Sequence, residues 1–306
     1  RRKSRAGELS ARDRGRNLVR PIRIYEAPLT AGAPTVGTQL AFEALEADLE
    51  RVCPGAEPVP FSGQREWPQE KDDPKLRGLA TVMGVCRRHY EDLKQGFAEG
   101  VRPVTLGGDH SLAMPAIAAA ARGVDRLAVG YLDGHADINT PETSLSGRIH
   151  GMPLAQALGL CPPALSFGGE RIAGRDLYIL GARSIDEGEF RIMREQGVHL
   201  YPADRLLKEG VEPVLREVLS AIGGIPFHLS LDVDIMDGEE FPATGYRMPN
   251  GLSYEQTRRL WRAFLAADPR SVSLVEYDPT RGGERERERM LELIGDLSGW
   301  GKPSSG

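Results

Sequence analysis

An α/β fold, a three-layer αβα sandwich around a mainly parallel sheet, is predicted by three features of this 306-residue sequence. From Ile22 onward, short apolar bursts alternate with longer amphipathic stretches, the pattern of strands joined by crossover helices. The runs at 127–132 and 177–180 are almost continuously apolar, as strands buried on both faces are. Clusters of acids and imidazoles come just after several of these runs, and ligands of open parallel sheets bind beyond the carboxyl ends of the strands.

The elements follow in order. A first strand is predicted at 22–25 and an amphipathic helix at 38–51. A long helix at 76–96 leads to a strand at 103–106, and an alanine-rich helix at 114–121 to the strand at 127–132. The second half repeats the alternation, with strands at 177–180, 198–201, 226–231 and 271–277 and helices at 187–196, 211–222, 253–266 and 284–297. Ser253 is a natural N-cap, with Gln256 completing a capping box three residues later. The alternating charges from Glu284 to Arg289 read as the solvated start of the last helix. No repeat of fixed period and no Pro/Gly/Ser linker divides the chain, so one domain is expected over 21–298.

Composition narrows the function. A hydrophobic content of 40% supports a buried core, and a net charge of −5 offers no basic excess for general nucleic-acid binding. Cys53, Cys86 and Cys161 form neither a disulfide framework nor a CxxC pair, so they are expected to be inert thiols in a reducing compartment. No apolar run approaches the roughly 20 residues of a membrane span, and the expected address is the cytoplasm. The first 20 residues carry eight Arg or Lys against Glu8 and Asp13, and are expected to form a disordered or loosely docked arm without a role in chemistry. A frayed terminus is expected at 299–306.

The polar clusters carry the chemistry. Asp133, His135 and Asp137 alternate, and in an extended segment alternate side chains share a face. Asp232 and Asp234 repeat that spacing after the run at 226–231. His110 follows the strand at 103–106, His150 sits in a further segment, and Glu276 lies near the end of the strand at 271–277. Unpaired, so many carboxylates would repel one another and be costly to desolvate; divalent cations remove both objections. Oxygen and imidazole donors without thiolate favour Mn²⁺ over structural Zn²⁺, while Co²⁺, Fe²⁺ and Ni²⁺ remain compatible. Two such ions activate water at neutral pH. His228 lies inside a predicted strand and reads as a core residue, while His89 and His199 carry no site signal.

With these residues in place, the chain resembles the ureohydrolases, the arginase and agmatinase group, and is most similar to the arginases. The resemblance runs from about Pro103 to Leu297. It rests on GGDHS at 107–111, DGHADINTPETSLSGRIHGMP at 133–153, GARSIDEGE at 181–189, SLDVD at 230–234, PATG at 242–245 and VEYDP at 275–279. It implies an arginase-like sheet fold and two Mn²⁺ ions, one held by His110, Asp133, Asp137 and Asp232, the other by Asp133, His135, Asp232 and Asp234. It also implies that Asp137 orients the attacking hydroxide, Glu276 holds the guanidinium, and His150 shuttles a proton. Asn139 and Ser146 would bind an α-carboxylate, Asp186 would lie near the α-amino group, and Thr244 would support the site from behind. The activity implied is hydrolysis of L-arginine to L-ornithine and urea, in a homo-oligomer that is commonly a trimer or hexamer.

The insert at 139–147 looks like an amino-acid clamp, which agmatine does not need. Two departures from the family pattern leave room for another guanidino substrate, such as agmatine, a guanidino acid or formiminoglutamate, or for a metal-binding homologue with little catalysis. Gly238 stands where the family has proline, with Glu239 and Glu240 adding charge, so a looser loop is expected at 236–241. The Gly-rich stretch that arginases place after the first strand is only faintly echoed by Gly32 to Gly37.

Overall fold

The computed structural model describes residues 20–65, 73–168 and 171–302. The expected basic arm, up to residue 19, and residues 303–306 lie outside the described residues. Eight strands are present among the described residues: β1 Ile22–Glu26, β2 Glu57–Val59, β3 Arg102–Leu106, β4 Ala128–Leu132, β5 Leu177–Leu180, β6 His199–Tyr201, β7 Phe227–Asp232 and β8 Ser271–Val275. They form one sheet in the order β2-β1-β3-β8-β7-β4-β5-β6. Every pairing is parallel.

The helices are α1 Ala41–Leu45, α2 Leu49–Val52, α3 Leu79–Glu99, α4 Ala113–Ala121, α5 Pro153–Ala157, α6 Glu187–Gln196, α7 Ala203–Glu209, α8 Val211–Ile222, α9 Tyr254–Ala266 and α10 Glu284–Gly295. Alternate strand residues face opposite layers. Ala128, Leu132, Leu229, Leu231, Val272 and Leu274 join a core with α1, α8, α9 and α10. Val129, Tyr131, Leu177 and Ile179 pack with α4, α5 and α6 on the other side. The predicted three-layer sandwich is therefore the observed one, and its layers explain why β4 and β5 read as nearly unbroken apolar runs.

Several boundaries differ from the expectation for physical reasons. The segment 38–51 is not one helix; α1 and α2 alternate with 3₁₀ turns at Thr38–Leu40 and Glu46–Asp48. The long helix α3 starts only after Gly78, whose φ of 71° lies in the left-handed region, and stops at Gly100, whose φ is 76°. β2, α5 and α7 were below the length at which periodicity is readable. β8 ends at Val275 instead of Tyr277 because Glu276 turns the chain with a φ of 62°.

Two surface expectations also change. The end is not frayed at 299–302: Trp300 is buried, its indole N–H donates to Pro269 O at 3.0 Å, and Arg102 donates to Trp300 O at 2.6 Å. The charged start of α10 is only partly solvated, since Glu286 is buried and accepts from Gly283 N at 2.8 Å. Its arginines are used for docking, with Arg287 donating to Ala44 O at 3.1 Å and Arg289 to Glu240 O at 2.7 Å. The capping box of α9 is present, with Gln256 N donating to Ser253 Oγ at 3.2 Å and Ser253 N to Gln256 Oε1 at 2.9 Å.

Because β8 and β7 insert between β3 and β4, the four central strands end side by side. His110, Asp133, Asp232 and Glu276 follow or terminate β3, β4, β7 and β8 respectively. The sheet order thus gathers residues separated by up to 166 positions, as in the contact from His110 N to Glu276 Oε1.

Candidate metal centre

The acids do not lie along extended strands, as the alternating spacing suggested. Each of three strand ends closes a tight turn in which an aspartate accepts from the backbone two residues on. Ser111 N donates to Asp109 Oδ1 at 3.0 Å, His135 N to Asp133 Oδ1 at 2.6 Å, and Asp234 N to Asp232 Oδ1 at 2.7 Å. This local bond is why the D-x-H and D-x-D patterns recur: one oxygen of the leading aspartate holds the turn and the other is left for the cleft. Asp137 is then reached through a left-handed residue, its own φ being 47°. Glu276, at φ 62°, is the other left-handed site residue, and such positions cost about 1–3 kcal/mol each. They are held from outside: Glu276 N donates to Gly108 O at 2.9 Å, and Leu154 N to Asp137 O at 3.0 Å.

Two overlapping donor groups result, His110 with Asp133 and Asp137, and Asp133 with His135 and Asp234, each group's atoms lying within 4.8 Å of one another. His110 Nδ1 is 2.8 Å from Asp133 Oδ2, 3.2 Å from Asp232 Oδ2 and 3.4 Å from Asp137 Oδ2. His135 Nδ1 is 2.9 Å from Asp234 Oδ2. The ring of His110 is set from both sides, by a 2.8 Å hydrogen bond between Nε2 and Ser230 Oγ and by stacking on Tyr131 at 4.4 Å. Tyr131 also donates to Asp137 Oδ2 at 2.9 Å.

The donor set fits a cation. His110 Nδ1 and Asp133 Oδ2 are buried without a hydrogen-bond partner even though they face each other. With Nε2 donating to Ser230, Nδ1 turns a lone pair toward a carboxylate lone pair, an arrangement a divalent ion between them would satisfy. The electrostatics agree. Burial, then the charge of Asp234, lifts Asp133 to about 7. Burial and Asp133 lift Asp137 to about 7 as well. Burial and Asp234 push Asp232 upward, whereas Asp234 is held down, against its burial, by His135. His110 is lowered by burial. Carboxyl groups kept partly protonated near neutrality are groups that bound cations would discharge in place of protons.

Glu276 Oε1 accepts from His110 N at 2.9 Å, and its Oε2 is buried with no partner. His150 Nδ1 lies 3.7 Å from Glu276 Oε1. Thr244 is buried and bridges to Tyr277, next to Glu276. Further out, Asn139 donates to Asp186 Oδ2 at 3.1 Å and accepts from Thr143 Oγ1 at 2.8 Å. Ser146 stands apart: it is exposed, and its hydroxyl accepts from Arg148 N at 3.2 Å within its own turn.

Both departures noted in the sequence have structural answers. The 236–241 loop is not loose. Gly238 N donates to Met248 O at 2.9 Å, and Glu240, whose charge faces Arg289 at 2.5 Å and Arg285 at 3.4 Å, is neutralised. Gly32 and Gly37 are both closely packed: Gly32 N donates to Asp109 Oδ2 at 2.9 Å, and a Cβ on Gly37 would lie 2.1 Å from Asp278 Oδ1.

Four supporting residues escaped sequence reasoning: Tyr131, Glu189, Ser230 and Tyr246. Glu189 accepts from Asp186 N at 2.9 Å and from Ile138 N at 3.1 Å, tying the helix start to the segment after Asp137. Its capping-box spacing from Asp186 was a readable signal. Ser230, a hydroxyl between Leu229 and Leu231, was a weaker one, and nothing marked Tyr246.

An all-parallel sheet delivers carboxylates and imidazoles from its central strand ends into two groups that could hold metal ions. Comparison with known proteins makes the class specific. The family model described as "Arginase family" matches residues 21–296. The arginase of Bacillus caldovelox is 33% identical over 92% of this chain and 99% of its own length. Its solved native structure superposes with a TM-score of 0.85 at 31% identity, covering 92% of this chain and 98% of that one. The arginase of Entamoeba histolytica in complex with L-ornithine gives a TM-score of 0.83 at 27% identity over 92% and 99% of the two chains. The chain belongs to the arginase family. It is thus a ureohydrolase of a family with a binuclear metal site, acting on small guanidino compounds.

Proposed function

We propose that the chain hydrolyses L-arginine, with L-arginine and water giving L-ornithine and urea, using two Mn²⁺ ions. The observation that carries the choice of substrate is the Asn139–Asp186 pair at 3.1 Å, which sets an amide beside a carboxylate at the outer end of the cleft. An α-amino acid head presents both a cation and an anion, and this pair offers a partner to each. Agmatine, lacking the carboxylate, would leave the second N–H of the Asn139 amide without that partner. The similarity to proteins named arginase, one of them solved in complex with L-ornithine, supports the same reading.

The ions would be held by His110, Asp133, Asp137 and Asp232 on one side and by Asp133, His135, Asp232 and Asp234 on the other. When bound, such a pair lowers the pKa of water toward neutrality and stabilises developing negative charge. The protein does the remaining work. Glu276 turns its unpartnered Oε2 to the guanidinium and fixes the reacting carbon. Asp137, steadied by Tyr131, orients the attacking water. His150, beside Glu276, takes up and returns the proton that the departing amine of ornithine needs. Asn139, Ser146 and Asp186 hold the amino-acid head, Ser146 by swinging from its turn, while Thr244 backs Glu276.

The test is urea release by Mn²⁺-loaded protein at mildly alkaline pH, with L-arginine, agmatine and 4-guanidinobutyrate in parallel, and formamide release from formiminoglutamate. Turnover of arginine at least tenfold above the others is expected. Preference for agmatine or 4-guanidinobutyrate would refute the assignment of the clamp.

A further inference from the structure

Tyr246 immediately follows the PATG segment and points back over the centre. Its ring stacks on His150 with centroids 5.4 Å apart and planes inclined by 21°, and meets His135 edge-on, also at 5.4 Å. Its hydroxyl lies 3.4 Å from His150 Nε2. The other nitrogen of that ring, Nδ1, faces Glu276 Oε1 at 3.7 Å. In the neutral ring with its proton on Nδ1, toward the Glu276 carboxylate, the phenol donates to the Nε2 lone pair. The tyrosine is held in this pose by its neighbours. Arg247 donates to Pro242 O at 2.7 Å and to Arg281 O at 2.9 Å, stapling the segment, and Tyr246 N reaches Thr244 Oγ1 at 3.5 Å.

We propose that Tyr246 roofs the guanidinium end of the cleft and fixes the orientation of His150, making it both a positioning residue and a determinant of specificity. This rests on the guanidino-hydrolase reading of the site. One ring touches the two imidazoles that flank the reacting centre, so a guanidinium bound at Glu276 has a flat aromatic wall above it. Unsubstituted guanidinium groups fit beneath such a wall. A methyl group on the terminal nitrogen meets the ring. Without the ring, His150 loses its stack and its hydrogen-bond donor together, and is free to rotate away from Glu276.

Two variants separate the roles. Tyr246→Phe keeps the wall and removes the donor. It is expected to lower kcat for arginine by about 3–10-fold with KM within about twofold, the size of one lost orienting hydrogen bond. Equal kcat and KM in Tyr246→Phe and parent would overturn the positioning role. Tyr246→Ala removes the wall, and the preference for arginine over Nω-methyl-L-arginine is expected to narrow by about tenfold or more, the discrimination a methyl-sized clash supports. An unchanged ratio would overturn the specificity role. A third readout needs no turnover: in ¹⁵N-histidine spectra of metal-free protein, the His150 Nε2 resonance should shift in Tyr246→Phe as its donor is lost. Silence toward every guanidino compound with that shift intact would remove the function proposed above and leave the Tyr246–His150 contact standing. An unmoved resonance would remove the contact itself.

Discussion

Glu189 offers a quantitative test of how the cleft is held open. It is 4% exposed, and its two carboxylate oxygens accept from Asp186 N at 2.9 Å and Ile138 N at 3.1 Å. One N–H belongs to Asp186, assigned to the amino-acid clamp, and the other directly follows Asp137 of the cation site. Burial lifts the Glu189 carboxyl to about 7, while the two N–H donors pull it back. At pH 8 it is ionised and satisfies both donors. Glu189→Ala leaves the buried Ile138 N–H and the part-buried Asp186 N–H unpaired; at about 1–3 kcal/mol for the first and less for the second, a destabilisation of about 1–4 kcal/mol is expected. Glu189→Gln keeps one acceptor and sets an amide N–H against the other donor, so about half that loss is expected. The exposed neighbour Glu187 serves as control, where alanine should cost no more than about 0.5 kcal/mol. Urea unfolding at pH 8, followed by circular dichroism, gives all three values. KM for arginine should rise in both Glu189 variants as Asn139 and Asp186 lose their common anchor. A Glu189→Ala protein as stable as the Glu187→Ala control would refute the reasoning.

Two further outcomes follow from buried imidazoles. His89 is fully buried, pairs with Thr105 Oγ1 at 2.8 Å, and burial lowers its pKa to about 3. The folded value lies below the unfolded one of about 6.5, so between those values only the unfolded chain takes the proton, and stability falls as pH drops, by about 1.4 kcal/mol per pH unit. His89→Gln should therefore lose about 2 kcal/mol less than the parent between pH 6.5 and 5; an identical slope in both proteins would contradict this origin. Ser230→Ala removes the partner of His110 Nε2 and should weaken binding of the cation at His110 by about 10–100-fold in a metal titration, whereas unaltered affinity would show that the ring is oriented by Tyr131 stacking alone.

The layer architecture was readable because short, largely apolar runs alternate with amphipathic helices, and burial on both faces leaves β4 and β5 almost without polar residues. The cluster of His110, Asp133, His135, Asp137, Asp232, Asp234 and Glu276 was readable because sheet order places strand ends together, and those residues sit at the ends. Its local geometry was not. Alternate spacing suggested extended segments, but the Asp133 and Asp232 side chains each capture a backbone N–H two residues on, and a turn forms instead. Tyr131 looked like one more apolar strand residue, since its hydroxyl finds Asp137 only in three dimensions. Trp300 lies in a terminal stretch of polar and small residues that gives no hint of the Pro269 carbonyl waiting for its indole. Short elements such as β2 and α7 carry too few residues for a period to show.

The claim on which the rest depends is that His110, Asp133, Asp137, Asp232, His135 and Asp234 hold two cations through shared aspartates. Equilibrium dialysis against Mn²⁺ with elemental analysis counts the ions per chain directly. Two per chain are expected in the parent, and no more than one in Asp133→Asn and in Asp232→Asn, with urea release lost in both. Two firmly held ions in either variant, or none in the folded parent, would contradict the account.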